Sequence, residues 1–379
     1  MALVSNRVGA FSAHFDRTRL FYTTKKSRKK YRNSALAAII SSMLMWIQTL
    51  KLRWHYGESN AQVYESYGFS YTGVIWTGIL SLLYIEHDNV IGGVNRFLYY
   101  FQCFKQKWIP KVHDANLALY SKMLDMLILL TVSTCILFPL TITFYFTFFP
   151  NSAIYPGNIV PGGHLMKDNL LFKLICVSYC TWLACMTWYS IMSFVVMGTI
   201  YIASIFLVIR EFKIDSSVHY ALHALRTPNY LMDEYTTLHL LHQDLMKTFG
   251  QVFIFGHFVC SNMCIFCIYA VMRHWHDINT STMILLSLWS VMIQIIWGMV
   301  LEVIGRFHLY LIKTMRSWKR VQFTNNTEAK LFFKCKRSKK PLIIGKDRVL
   351  TIKRLTVLKF FRQIIKATFR ALLTVGQSN

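Results

Sequence analysis

The chain has 379 residues, of which 54% are hydrophobic and only 16% charged, and its formal net charge is +25. A soluble domain of this length would carry more charge, and the apolar residues are gathered into runs near the roughly 20 that cross ~30 Å of hydrocarbon. We therefore predict an all-α polytopic membrane protein. A β-barrel would show short alternating segments instead. The basic charge follows the positive-inside rule rather than nucleic-acid binding, because Lys and Arg lie mostly between the apolar runs.

The beginning of the chain is a basic arm, residues 1–33. Such a cluster beside a first span holds an N-terminus in the cytosol and offers a contact for anionic membrane lipid. The arm has no early apolar run, so we expect no cleavable signal peptide. Seven membrane spans are predicted, over residues 34–50, 67–85, 124–149, 169–210, 249–272, 282–304 and 350–375. An odd number of spans places the C-terminus outside the cell.

The fourth run, 169–210, is longer than a simple span requires at ~1.5 Å per residue. We expect a single tilted helix that projects into the cytosol, because Gly198 alone is a weak breaker. The polar stretches on the cytosolic side are expected to continue such helices below the membrane and to pack there. These stretches are residues 86–122, 214–248 and 305–348.

The short loop after the fifth span falls outside the cell in this topology. It contains Asn279-Thr280-Ser281, an N-glycosylation sequon that is usable there. A second sequon, Asn325-Asn326-Thr327, falls in the cytosol and should remain unmodified. The predicted organisation is a cytosolic arm (1–33), spans one to six with a ligand pocket (34–304), a cytosolic anchor segment (305–348), a seventh span (349–375) and an extracellular tail (376–379).

Cysteine and histidine pairs do not indicate a cofactor. Cys264 and Cys267 have the spacing of metal ligands but lie in an apolar run without a nearby carboxylate, so we interpret them as packing residues. His239 and His242 are one pair, which is fewer ligands than a metal site needs, so we interpret them as part of an amphipathic helix. No nucleophile-elbow, zinc-binding or phosphate-binding motif is present, and we predict neither an enzyme nor a metal site.

The last third of the chain resembles the insect odorant receptor family, whose fold is shared with gustatory receptors. Residues 310–318 look like the family's Tyr and Trp neighbourhood. Residues 336–344, Lys-Arg-Ser-Lys-Lys-Pro-Leu-Ile-Ile, look like its Arg-Ser-Gln-Lys-Pro-Leu signature, and Gly345 stands near the Gly that follows. The run 350–369 looks like its final helix, although Leu-Thr-Val at 355–357 replaces a Thr-Phe pair. Residues 238–245 also fit the helix before the fifth span.

The resemblance implies a tetrameric, odorant-gated, non-selective cation channel in the plasma membrane of a sensory neuron. Most members of the family are odorant-tuning subunits that need a co-receptor, a longer chain with an insertion between its fourth and fifth spans. That insertion is absent here, so the resemblance places this chain as a tuning subunit of a hetero-tetramer. The alternatives are a gustatory-type homotetrameric channel, a metabotropic seven-helix receptor and a transporter.

The ligand expected from this resemblance is a small apolar odorant, bound in the outer half of the second, third, fourth and sixth spans. Such a pocket is mostly aromatic with a few hydroxyls. Each candidate also has an ordinary alternative role in packing or interfacial anchoring. Depth in the membrane selects Phe69, Tyr71, Thr72, Phe138, Thr141, Tyr145, Tyr179, Trp182, Leu286 and Trp289.

The last span carries an unusual cationic face. Lys359, Arg362, Lys366 and Arg370 recur at helical spacing, and ionisable residues at membrane depth face water or protein. The face therefore suits the inner half of a water-filled pore, although snorkelling or an inner vestibule explains it equally well. Rings of positive charge hinder cations, and co-receptor helices in a heteromer would relieve this. The pore candidates are Lys366 and Arg370, with an outer gate at Leu372, Leu373, Thr374 and Gln377.

Overall fold

The computed structural model describes residues 10, 13–15, 21–57, 60–109, 129, 133, 136–137, 139–150, 152, 155–159, 169–276, 278, 280–346 and 349–375. Its helices are α1 (Lys25–Tyr56), α2 (Ala61–Ile85), α3 (His87–Trp108), α4 (139–148), α5 (Pro156–Ile159), α6 (Leu170–Glu211), α7 (Pro228–Arg273), α8 (Thr280–Ser317), α9 (Asn326–Ser338) and α10 (Thr356–Val375). Two short antiparallel pairs join β1 (Ala13–Phe15) to β2 (Phe21–Thr23) and β3 (Gly345–Lys346) to β4 (Leu350–Thr351). Single 3-10 turns occupy His223–Arg226 and Trp318–Arg320.

Five helices are long and apolar enough to cross a membrane, by length and composition: α1, α2, α6, α7 and α8. This count covers only the part of the chain that the structure describes, which omits most of the predicted third span. The predicted seventh span, α10, falls outside the five, and it carries four Lys and Arg residues in 20. An all-α membrane fold is therefore confirmed, and the number of seven spans stays a prediction.

The long helices extend well beyond a bilayer. The 42 residues of α6 form one helix of about 63 Å, as expected from the sequence, and the 46 of α7 reach about 69 Å, against a hydrocarbon thickness of ~30 Å. The extra length of these helices extends from one end of the bundle, which we term the base. It comprises α3, α9, the beginning of α7 and the end of α8.

The opposite end, which we term the loop end, carries the ends of α1 and α7 and the beginnings of α2 and α8. Helix α2 begins there at Ala61 because the Asn60 side chain accepts a hydrogen bond from the Gln62 N–H at 2.8 Å. In the same way the Asn169 side chain caps the beginning of α6 by accepting from the Leu171 N–H at 2.9 Å. These caps define where both helices start, close to the aromatic cluster described below.

Two predicted boundaries are corrected and one expected continuation is found. The first helix begins at Lys25, inside the predicted arm, because the Thr24 side chain and Ser27 form a capping box. As expected for the stretch 214–248, residues 228–248 continue without a break into the fifth span as one helix, α7. The last helix begins at Thr356 rather than at 349 or 350, because Leu350–Thr351 is the strand β4.

The largest apolar core extends from the base into the helix bundle. Trp318 is fully buried there, and its indole N–H donates to the Phe212 carbonyl oxygen at 2.9 Å. The Tyr235 ring meets that indole edge-on at 4.9 Å, and the Tyr235 hydroxyl donates to the Lys340 carbonyl oxygen at 3.1 Å. The ends of α6 and α8 and the segment before β3 are therefore held against α7.

The mostly buried carboxylate of Glu234 links α3 to α7 at the base. Glu234 accepts hydrogen bonds from the Trp108 indole N–H at 2.8 Å and from the Lys107 ammonium at 2.9 Å. Within α3, Phe97 and Tyr100 are buried whereas Tyr99 is 65% exposed. Helices α3 and α7 thus contact each other at the base, beyond the apolar spans.

Candidate ligand site and pore helix

An aromatic cluster centred on Phe69 lies near the loop end. Its ring is 4.9 Å from that of Trp289, 5.6 Å from that of Tyr145 and 5.9 Å from that of Phe146, measured between centroids. These side chains come from α2, α8 and α4. The cluster therefore joins three of the four helices from which the ligand pocket was predicted.

Trp289 connects this cluster to a second one. There Leu286 is 1% exposed and packs with Met263 and Cys267 of α7, and Tyr71 lies against the same group. Helices α2 and α8 approach closely at this level, since a Cβ on Gly68 would lie 3.2 Å from the Leu286 side chain. The structure thus brings together five of the ten predicted ligand residues: Phe69, Tyr71, Tyr145, Leu286 and Trp289.

The other predicted ligand residues point elsewhere. Tyr179 and Trp182 contact each other, but the Tyr179 hydroxyl is hydrogen-bonded to Ser41 of α1 and Trp182 packs against the largest apolar core. The Thr72 hydroxyl donates to the carbonyl of its own helix at Gly68, 2.8 Å away, and Thr141 is exposed. Phe138 lies outside the described residues.

Glu65 is a residue of this region that the sequence reasoning missed. Its Oε1 accepts hydrogen bonds from the Tyr145 hydroxyl at 2.6 Å and from the Ser152 hydroxyl at 2.5 Å, while Thr282 lies 3.5 Å from Oε2. The predicted second span began at residue 67 and so excluded it. The available signal was its place four residues before Phe69, on the same helical face.

A small cavity of about 10 Å³ lies away from this cluster, lined by Phe21 of β2 and by residues of α3 and α6. Its wall includes Phe97, which belongs to the largest apolar core. It therefore does not coincide with the predicted ligand residues.

Helix α10 packs on α7 and α8 through one face. Phe360 and Ile364 are buried, and the Phe360 ring lies 5.7 Å from that of His257 in α7. A Cβ on Gly298 of α8 would lie 3.2 Å from the ring of Phe361. Because His257 and Gly298 belong to the predicted fifth and sixth spans, α10 runs beside membrane-depth parts of the bundle.

The opposite face of α10 is exposed with respect to the residues that the structure describes, and it carries the predicted pore residues. Lys366, Arg370, Leu373 and Thr374 are exposed, whereas Leu372 is partly buried. Gln377 lies outside the described residues. Exposed apolar residues, Leu358, Ile365 and Phe369, form a second stripe beside the cations. The uncovered face is thus divided into an apolar part and a cationic part.

A buried polar contact links the base to the segment before α10. The Tyr201 hydroxyl hydrogen-bonds to Nδ1 of His242, and His242 Nε2 lies 2.9 Å from the Ile343 carbonyl oxygen. His242 lies in the part of α7 that precedes the predicted span 249–272. Burial lowers its pKa from 6.5 to about 4, so the ring is neutral at pH 7. The predicted role of this helix as a packed amphipathic element is confirmed.

Among known proteins, no family model and no curated protein matches the chain. A solved structure does: the insect olfactory receptor OR5 from Machilis hrabei aligns with a TM-score of 0.63 over 100% of this chain and 97% of the receptor. The chain has the fold of an insect olfactory receptor. Sequence identity is 10%, so this likeness concerns the fold. It agrees with the resemblance noted in residues 310–369.

Proposed function

We propose that the protein is an odorant-binding tuning subunit of a heteromeric, ligand-gated, non-selective cation channel, assembled with an odorant receptor co-receptor. The single observation that carries the proposal is the full-length match to an insect olfactory receptor. The family-like segments 310–318 and 336–344, which follow the family's order, support it independently, since they are features of the sequence and not of the fold. In the proposed assembly the protein is a multi-pass protein of the sensory-neuron plasma membrane.

In the proposed topology the base is cytosolic and the loop end extracellular. The cationic segment 305–348 lies at the base, which agrees with the positive-inside rule. The aromatic cluster around Phe69 and Trp289 then faces the outer half of the membrane. An apolar odorant is suited to such a site because aromatic walls supply large contact areas.

The uncovered face of α10 supports a pore-lining role. Four cations at membrane depth are costly in lipid and need water or protein beside them. The apolar stripe at Ile365 and Phe369 suits contact with a neighbouring subunit, while Lys366 and Arg370 suit a water-filled lumen. Four copies of this helix would surround a cation with positive charge, which favours a pore shared with co-receptor helices.

The experiment is expression in oocytes with and without an insect co-receptor, with recording of membrane current under a panel of volatile odorants. We expect odorant-evoked inward current only when both chains are present. Current from this chain alone would favour the gustatory-type homotetramer. G-protein signalling without any current would contradict the proposal and support a metabotropic receptor.

A further inference from the structure

Glu65 is an ionisable residue held at the loop end of a membrane bundle. The hydroxyls that bind its carboxylate come from three other segments: Tyr145 on α4, Ser152 in the following loop and Thr282 on α8. The arrangement therefore holds a carboxylate in place at the junction of α2, α4 and α8.

This carboxylate has no cationic partner in the part of the chain that the structure describes. Several other carboxylates of the bundle are paired with basic groups. Glu302 lies 2.7 Å from Arg306, and Glu234 lies 2.9 Å from Lys107. In a chain with 42 Lys and Arg, pairing with a basic residue would be easy to arrange. Partly buried charges are normally paired, so this one is available to a cation from outside the chain.

The aromatic cluster begins one helical turn away. Phe69 follows Glu65 by four residues on the same face of α2, and Tyr145 belongs both to the cluster and to the hydrogen bonds of Glu65. Trp289 closes the far side of Phe69 at 4.9 Å. Faces of Trp, Tyr and Phe attract organic cations, and their apolar surface accepts a hydrocarbon body.

We propose that Glu65 and the cluster around Phe69 and Trp289 form a binding site for protonated organic amines, with the ammonium at Glu65 and the hydrocarbon chain against the aromatic rings. This deepens the proposed function, and rests on it, by naming the chemical class of the odorant. A simple alkylamine is protonated at pH 7, as a lysine side chain is, because its pKa is about 10.4. The neutral alcohol of the same length lacks the charge and provides a matched comparison.

The test uses the full-length purified protein and measures its thermal melting with 1-hexylamine, hexyltrimethylammonium and 1-hexanol. We expect both cations to raise the melting temperature at about tenfold lower concentration than the alcohol, because an ion pair in a partly buried site contributes a kcal/mol or more. In Glu65→Gln this preference should disappear, since the amide keeps hydrogen-bonding capacity without charge. Glu302→Gln, which removes a carboxylate elsewhere on the bundle, should keep the preference.

Equal effects of hexylamine and hexanol on the wild-type protein would overturn the proposal, whether or not the variants fold. Retention of the amine preference in Glu65→Gln would also overturn it. The melting assay does not depend on gating. A chain that conducts under neutral odorants yet shows no amine preference would therefore disprove this site and leave the channel function intact. Amine binding without any odorant-evoked current would support the site and contradict the channel function.

Discussion

The ring of His242 bridges the base of the bundle to the backbone of Ile343, with Nε2 lying 2.9 Å from the carbonyl oxygen. Its other nitrogen meets the hydroxyl of Tyr201 on α6. Ile343 precedes the β3–β4 pair, and α10 begins a few residues later. This histidine is therefore placed where movements of α6 and α7 would reach the beginning of the proposed pore helix.

Replacement of His242 by Gln should destabilise the protein and change its pH response. Burial lowers the folded pKa of this histidine to about 4, below the 6.5 of an unfolded one. The unfolded chain then binds the proton more readily, so this residue's contribution to stability is complete above pH 6.5 and is lost as pH falls toward 4. At pH 7.5 the variant should lose about 1–3 kcal/mol, because buried polar partners are left unsatisfied.

The measurement is the melting temperature of purified wild type and variant between pH 7.5 and pH 4. The wild type should lose stability faster on acidification, so that the gap between the two proteins narrows. His55→Gln serves as control, because His55 is exposed and should leave the curve unchanged. A gap that stays constant over this range would show that His242 is not held neutral.

Gly305→Ala should disturb the contact between α8 and the beginning of the pore helix. An added Cβ would lie 2.9 Å from the Arg354 Cα and 3.1 Å from its nitrogen, both backbone atoms that cannot turn aside. Overpacking of this kind costs about 1–3 kcal/mol. Gly92 on α3 offers the matched control, since a Cβ there meets nothing within 4 Å. Gly92→Ala should be neutral or stabilising by helix propensity, as measured by thermal melting and by yield of monodisperse protein.

The membrane class and the long helices could be predicted because they depend on local composition. Hydropathy located the apolar runs, and the lack of a strong breaker in 169–210 correctly predicted one continuous helix, α6. The beginning of α10 could not be read in this way. It depends on pairing between Leu350–Thr351 and Gly345–Lys346, and on a φ of +115° at Gly345 that glycine adopts readily.

The candidate site was predicted only in part. The position of a residue in its span gives its depth in the membrane, but it does not give the direction in which the side chain points. Phe69, Tyr145 and Trp289 lie at one level and also meet, whereas Tyr179 turns toward Ser41 of α1. Glu65 was not predicted as a site residue because its hydrogen bonds come from three hydroxyls on segments that are distant in the sequence. Tyr145, Ser152 and Thr282 converge on it only when α2, α4 and α8 are packed together.

The proposed orientation of the chain predicts a glycan at Asn279 alone. This residue lies outside the described part of the chain and immediately precedes α8 in the sequence. Asn279→Gln should run faster on a gel than wild type expressed in insect cells, and enzymatic removal of glycans should abolish the difference. Thr327→Ala destroys the second sequon while sparing Asn325, whose side chain accepts from the Glu328 N–H at 2.7 Å and caps α9. It should leave the mobility unchanged. A shift in Thr327→Ala instead would place the base outside the cell and reverse the topology.

The cationic stripe of α10 makes a prediction about ion selectivity. Helix α10 contains no Asp or Glu, and its Lys366 and Arg370 are exposed toward the proposed lumen. Where several copies of this helix line a pore, the positive rings should favour chloride over sodium. Lys366→Gln with Arg370→Gln should then shift the reversal potential of odorant-evoked current toward that of sodium, and raise cation current several-fold in heteromers.

Recordings in solutions of differing sodium and chloride content separate the sodium current from the chloride current, since the reversal potential of each ion depends only on its own concentrations. The control is Lys330→Gln with Lys334→Gln, which removes the same charge from exposed positions on α9. Exposed charges more than a Debye length of about 8 Å from the lumen are largely screened, so this pair should alter selectivity little. If the α9 pair shifts the reversal potential as much as the α10 pair, the effect reflects net charge at the cytosolic face. Lys366 and Arg370 would then lie in an inner vestibule or snorkel to the membrane surface, and α10 would not line the selective part of the pore.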